Sequence, residues 1–232
     1  MQIEVWSDIV CPWCYVGKRR LEAALDEFPH ADEVTITWRA FELDPGAPRE
    51  RTGDRVEHLA RKYGISTDQA RAAQDHLTSL AAADGLTFRF DRARPGNTLD
   101  AHRLLHLAAD QGRQGALKER LLAAYLTDGA PIGDPGTLVD LAAEVGIDPD
   151  DARTALASGA YLDAVRADER AAAELGITGV PFFVFDRRYA VSGAQSPEVL
   201  RGALDRAWAT RAGTLEVTVG GDATCDGDAC PV

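Results

Sequence analysis

A short apolar run, Ile3 to Trp6, leads straight into SDIVCPWCYVGKRRLEAAL, which sets Cys11 and Cys14 at the mouth of a helix. From Tyr15 onward, Gly17, Leu21, Ala24, Leu25 and Phe28 recur at helical spacing, and Pro29 ends the pattern. The following EVTITWRAF alternates, with Val34, Ile36 and Trp38 on one face of a second strand. Strand, cysteine turn, helix and strand in that order restrict the fold sharply. A right-handed crossover makes the two strands parallel neighbours and leaves both cysteines at the carboxyl end of the first.

Beyond the second strand the chain reads as almost entirely helical. Ser66 and Gln69 form a capping-box signal before a helix to about Asp84, and Asn97 with Asp100 precede another containing Leu104, Leu105 and Ala108. Thr137 and the Asp148-Pro149 pair mark further starts, and Gly176 closes a run from Tyr161 to Leu175. The pattern then returns to strand. PFFVF lacks alternation and reads as buried on both faces, AVSG follows a turn at 186–188, and Ser196-Pro197 opens a last helix. Leu200, Ala203, Leu204, Ala207 and Trp208 give that helix one apolar side. The expectation is an α/β domain, 1–45 and 176–212, interrupted by an all-helical insertion, 46–175, and followed by an extension, 213–232.

Composition narrows the partners. The 232 residues are 45% apolar, enough for a sizeable core. Against 25 basic side chains stand 37 acidic ones, and a net charge of −12 disfavours nucleic acid and anionic lipid. Lys18, Arg19 and Arg20 read as a solvated helix face rather than a polyanion site. No run approaches the roughly 20 apolar residues of a membrane span, and MQIEVWSD does not resemble a secretory signal. The expected location is cytoplasmic.

Four cysteines in such a chain do not make a disulfide scaffold. Cys11 and Cys14 can be a redox pair, half of a zinc site, or thiols without a role. A cysteine at a helix N-terminus faces unpaired N–H groups and the positive end of the helix dipole, which favour thiolate. Cys11 is therefore expected to be the exposed attacking sulfur with a lowered pKa, and Cys14, one turn on, the covered resolving one. Pro12 and Trp13 restrict the turn and place a flat apolar surface beside them. Zinc needs two further ligands, and no histidine lies in the local segment. No metal is expected.

CPWCYVGKRRLE, NTLDAHRLLHLA and GITGVPFFVFDRRYAVSGAQ together resemble the FrnE-like branch of the DsbA family, over nearly the whole chain through Trp208. The resemblance implies a thioredoxin-like fold with a large inserted all-helical domain, and thiol-disulfide oxidoreductase or isomerase activity without a bound cofactor. It also implies a cis Val180-Pro181 bond against the cysteines, with both residues contacting substrate. Thioredoxin-like enzymes often place a buried acid six residues before the attacking cysteine. Here that position is Val5, so Glu4 or Asp8 is the substitute to look for. The glutathione-dependent chromene carboxylate isomerases of the same superfamily usually carry serine in place of Cys11, so two thiols favour redox exchange. A redox-sensing peptide-binding or chaperone module is the reading from a different class.

His102 and His106 share a helix face, with His102 either lining a groove or serving as an ordinary hydrogen-bonded position. Cys225 and Cys230 lie in an acidic, glycine-rich tail beyond an alternating stretch at Leu215, Val217 and Val219. They are candidates for an auxiliary relay or gate, and Asp222, Asp226 and Asp228 would raise their pKa values. Expected partners are protein or small-molecule thiols and disulfides, with glutathione or a thioredoxin-type protein recycling the pair. An apolar helix face leaves a homodimer open.

Overall fold

The computed structural model describes residues 1–51, 53 and 55–211. Four strands, β1 (Gln2–Ser7), β2 (Thr35–Ala40), β3 (Phe182–Phe185) and β4 (Tyr189–Ser192), form one sheet in the order β2-β1-β3-β4. β1 and β2 are parallel, with Val5 opposite Trp38, as the crossover argument requires. β3 lies antiparallel to β1, and β4 antiparallel to β3. The β3-β4 hairpin turns at Asp186 and Arg187, whose φ values of 45° and 54° are those of a type I′ turn.

The helices among the described residues are α1 (Pro12–Asp26), α2 (Arg55–Tyr63), α3 (Thr67–Ala83), α4 (Leu99–Asp110), α5 (Gln114–Ala123), α6 (Pro135–Glu144), α7 (Pro149–Ser158), α8 (Leu162–Glu174) and α9 (Pro197–Ala209). α2 to α8 all fall between β2 and β3. The molecule is thus a thioredoxin-like α/β core with a large inserted helical bundle. No helix among the described residues is long and apolar enough to cross a membrane.

Local chemistry explains the helix starts. Ser66 Oγ accepts from Gln69 N at 3.1 Å while Gln69 Oε1 accepts from Ser66 N at 2.9 Å, completing the expected capping box. Asp148 caps α7 through Asp150 N at 2.7 Å, with Pro149 in the first turn. α6 starts two residues before Thr137. Asp134 is its cap and accepts from Thr137 N at 2.7 Å, and Pro135 needs no N–H partner there.

α1 belongs to two cores at once, and this positions the cysteines. Its later residues Leu21 and Ala24, with Phe28 just beyond its end, pack with the sheet residues Val5 and Phe183 and with Leu200 and Leu204 of α9. Tyr15 and Val16, beside the cysteines, join instead the core of the helical bundle with Leu104, Leu121 and Tyr125. Fully burying one such apolar side chain stabilises by about 1.5–3 kcal/mol, so both attachments are substantial. The basic cluster does not face solvent. Lys18 and Arg19 pair with Glu119 of α5, Arg20 pairs with Asp84, and all three join α1 to the insertion. The sequence pattern places these residues off the apolar face, but the insertion covers that side too.

Candidate active site

β1 ends at Ser7, the chain turns through 8–10, and Cys11 caps α1 with Pro12 in its first turn. No side chain caps the helix and no acid lies in its first turn, so the cap sulfur sits among unneutralised N–H groups. Cys11 and Cys14 are free thiols. Contrary to the expectation of an exposed Cys11, both are buried, Cys11 at 5% and Cys14 at 1% exposure. The cover comes from the other half of the sheet domain. Val180-Pro181 is cis, and Cys11 Sγ donates to the Val180 carbonyl at 3.6 Å. Trp13 remains exposed at 40%, Pro12 and Val180 are half-buried, and Pro181 is buried.

Gly17 permits this closeness. A Cβ on it would stand 2.9 Å from Pro181 Cγ and 3.1 Å from Phe183 Cζ, so any larger residue pushes α1 off the proline.

Of the two acids named as substitutes, Asp8 is the one at the thiols. It is fully buried, and its backbone carbonyl accepts from Cys11 N at 3.4 Å. Its carboxylate accepts from Ile9 N at 2.7 Å and Leu43 N at 2.8 Å, and faces His102 Nε2 at 3.2 Å. Burial pushes the Asp8 pKa up, but the His102 bond and the Leu43 N–H outweigh it and the net shift is down. Burial lowers His102, so it faces Asp8 as a neutral ring. His102 is therefore a buried partner of the site loop. Glu4 is occupied elsewhere, by Arg39 and Arg187.

Sequence reasoning missed Lys118. This side chain of α5 is fully buried, its Nζ donating to the Ser7 carbonyl at 3.4 Å and lying 5.7 Å from the Trp38 ring centre. Burial lowers its pKa to about 8, against the charges of Cys14, Asp8 and Cys11, which favour the ammonium. A signal was present: in QGALKERLLA, Lys118 lies three and four residues before Leu121 and Leu122, inside the apolar stripe.

The two thiols titrate as a unit. Burial pushes Cys14 up, but the Cys11 hydrogen bond and the Lys118 charge outweigh it, leaving Cys14 below the ordinary thiol range. Cys11 is held well above that range by its hydrogen bond to Cys14, by burial, and by the charge on Cys14. The pair therefore gives up its two protons in separate steps, the second held back by the charge that the first leaves behind. The lowered pKa assigned from sequence to Cys11 thus belongs to the pair, because the insertion puts a cation behind Cys14.

Among the described residues, no three His, Cys, Asp or Glu side chains converge to hold a metal ion. A cavity of about 640 Å³ in the insertion, lined by residues including Arg55, Gln74, Phe88 and Phe90, touches neither cysteine. Cys225, Cys230 and the stretch at Leu215 to Val219 lie outside the described residues.

A cis-proline loop closing on a helix-capping Cys-x2-Cys pair, in a sheet domain split by helices, defines the class. Residues 2–205 match the DSBA-like thioredoxin domain, and the chain belongs to that family. A probable DsbA oxidoreductase from Streptomyces coelicolor is 47% identical, with a TM-score of 0.87 over 100% of both chains. The uncharacterised protein YwbO of Bacillus subtilis is 30% identical over 206 residues, 88% of this chain and 96% of its own. The cytosolic disulfide reductase DsbM from Pseudomonas aeruginosa, solved with GSH, shares the fold. Its TM-score is 0.64 at 21% identity, over 90% of this chain and 100% of its own.

Proposed function

We propose that the protein is a cytosolic dithiol-disulfide oxidoreductase of the FrnE-like branch, acting on protein or small-molecule disulfides. The observation that carries this reading is the pair itself: two free thiols one turn apart, with Cys11 Sγ against the carbonyl of cis Val180-Pro181. In the reducing direction, Cys11 as thiolate attacks one sulfur of a substrate disulfide. A Cys11-substrate bond forms, and the other substrate sulfur leaves as thiolate and takes up a proton. Cys14 then attacks the Cys11 sulfur, the Cys11-Cys14 bond forms, and the second substrate sulfur leaves with the remaining proton. The substrate gains two electrons and two protons. Two glutathione thiols, or a thioredoxin-type dithiol, reduce the pair again.

Transfer of the shared proton between the sulfurs charges Cys11, the less covered of the two. Val180 and Pro181 orient an extended substrate, while Pro12 and Trp13 supply its apolar contact. Isomerisation is a second outcome of the same intermediate, when a substrate thiol attacks the mixed disulfide before Cys14 does. Cys225 and Cys230 serve as a relay or gate for the pair, and truncation after Gly221 tests this through the rate of Cys11 oxidation. The Pseudomonas relative's name, cytosolic disulfide reductase, and its GSH support the compartment and the recycling partner.

The reading is tested with Cys11→Ser and Cys14→Ser variants in a disulfide-exchange assay. Cys11→Ser is expected to lose exchange while keeping any peptide binding, and Cys14→Ser to accumulate a mixed disulfide at Cys11. Exchange that persists in Cys11→Ser contradicts the proposal.

A further inference from the structure

α5 is pinned at its start and again at its middle, and between the pins it delivers one cation to the thiols. Near its start, the Gln114 side chain accepts from Trp38 N at 2.9 Å and donates to Trp38 O at 2.9 Å, fixing the helix to β2. Further along, Glu119 accepts from Tyr15 Oη at 2.6 Å and pairs with Lys18 at 2.5 Å, fixing it to α1. Lys118 lies between these contacts, fully buried.

Its surroundings leave it poorly served. An ammonium has three N–H bonds, yet among the described residues the contacts of Lys118 are one hydrogen bond of 3.4 Å and the Trp38 ring. The charged and titratable groups facing it are Cys11, Cys14 and Lys18 from α1, Asp8 from the loop after β1, and His102 from α4. Lys18 repels it and is held by Glu22 and Glu119. His102 is neutral, and Asp8 is already engaged by Ile9, Leu43 and His102. Beside that engaged carboxylate, the thiol pair is the other source of negative charge facing Lys118. A second group points the same way: Ser7 Oγ is buried, lies beside Cys14 and has no other hydrogen-bond partner among the described residues. A buried cation and a buried hydroxyl donor around one sulfur are what an anion there would need.

We propose that Lys118 is a positioning cation for the cysteine pair, holding one of its two sulfurs as thiolate in the reduced protein and thereby favouring the dithiol over the disulfide. This deepens the redox reading of the same site. When the Cys11-Cys14 bond forms, the thiolate charge near Lys118 disappears and the buried ammonium keeps only the Asp8 carboxylate, which Ile9, Leu43 and His102 already engage. When two glutathione thiols reduce that bond, they supply two electrons and become glutathione disulfide. Of the two protons the glutathione thiols give up, Cys11 and Cys14 hold one between them as thiol and thiolate, the other passes to solvent, and the thiolate charge near Lys118 is restored. The insertion therefore sets the redox poise of the sheet domain, through α5.

The test compares wild type, Lys118→Met and Lys118→Arg as full chains. One readout is the equilibrium with defined glutathione and glutathione disulfide ratios, the other the ultraviolet thiolate absorbance of the reduced proteins against pH. Lys118→Met is expected to shift the equilibrium toward the disulfide by about tenfold, roughly 30 mV for a two-electron couple. Its thiolate titration should move up by about one pH unit, with Lys118→Arg recovering most of both changes. Lys118→Gln gives the same comparison should the Met variant fail to fold. Thiolate titration and equilibrium unchanged in a folded neutral variant overturn the proposal, since a merely structural lysine would leave both in place. A wild-type pair that forms no disulfide at any ratio would instead sink the redox reading, while the thiolate titration still decides what Lys118 does.

Discussion

Two buried polar clusters flank β1, and they are satisfied very differently. At Glu4, one carboxylate oxygen accepts from Arg39 at 2.7 and 3.0 Å and the other from Arg187 at 2.8 Å. Asp168 of α8 accepts from Arg39 at 3.0 Å and Ala40 N at 2.9 Å, and faces His106 at 3.0 Å, while its backbone carbonyl accepts from Trp6 Nε1 at 2.9 Å. Both carboxylates thus have donors on each oxygen. Three residues along the same strand, among the described residues, Ser7 Oγ has no partner other than the neighbouring thiol and Lys118 has one long hydrogen bond. The first cluster ties sheet to insertion and has nothing left to offer a substrate. The second keeps unspent donors around two thiols, as chemistry requires and stability alone does not.

The contrast can be broken most forcefully at Asp168. Asp168→Ala takes the acceptor from His106 and the buried Ala40 N–H and leaves Arg39 with Glu4 alone, and should destabilise by about 3–5 kcal/mol in denaturant unfolding. The thiolate titration of the folded variant should stay unchanged, and a shifted one would show that the clusters are not independent.

Lys118 gives the next largest effect, with a definite pH signature. Its folded pKa of about 8 lies below the ordinary 10.5, so between those values the unfolded chain binds more protons and folding stability rises with pH. The penalty is fully present below pH 8 and amounts to about 3 kcal/mol. Lys118→Met should therefore unfold at higher denaturant than wild type near pH 7, a gap that closes toward pH 10. The comparison belongs in the disulfide form, where the thiols do not titrate. A gap that is constant with pH would mean that burial does not hold Lys118 down.

Gly17→Ala should cost about 1–3 kcal/mol by overpacking against Pro181 and Phe183, offset by up to about 1 kcal/mol of helix preference. Because the clash lies at the proline, disulfide exchange should slow as well. Ser66→Ala is the smallest: about 1 kcal/mol from a lost cap in α3, with exchange at wild-type rate. A change in exchange would show that α3 communicates with the site.

Much of the fold was legible because its signals are local. The cysteine turn after an apolar strand, the capping box at Ser66 and the Asp148-Pro149 start all appear in the structure. The early start of α6 was missed although Asp134-Pro135 repeats the chemistry of Asp148-Pro149, since Thr137 offered a competing cap signal. Site residues divide along the same line. Cys11, Cys14, Val180 and Pro181 sit in motifs whose meaning travels with a few neighbours. Lys118 and Asp168 come from helices more than 100 positions from Cys11, and nothing in their own segments says which strand they will face. Lys118 differs only in standing inside an apolar stripe, a local conflict that a functional site resolves. The burial of Lys18 and the pairing of Arg19 were equally hidden, because Glu119 reaches them only once α5 docks.

Whether Cys11 and Cys14 form one reversible redox centre is decided most directly by equilibration with graded glutathione ratios, followed by alkylation and mass analysis resolving each cysteine. The expected result is a single two-electron transition in which Cys11 and Cys14 lose and regain alkylation together. Two cysteines that remain alkylated at every ratio, or that oxidise independently with partners other than each other, would contradict it.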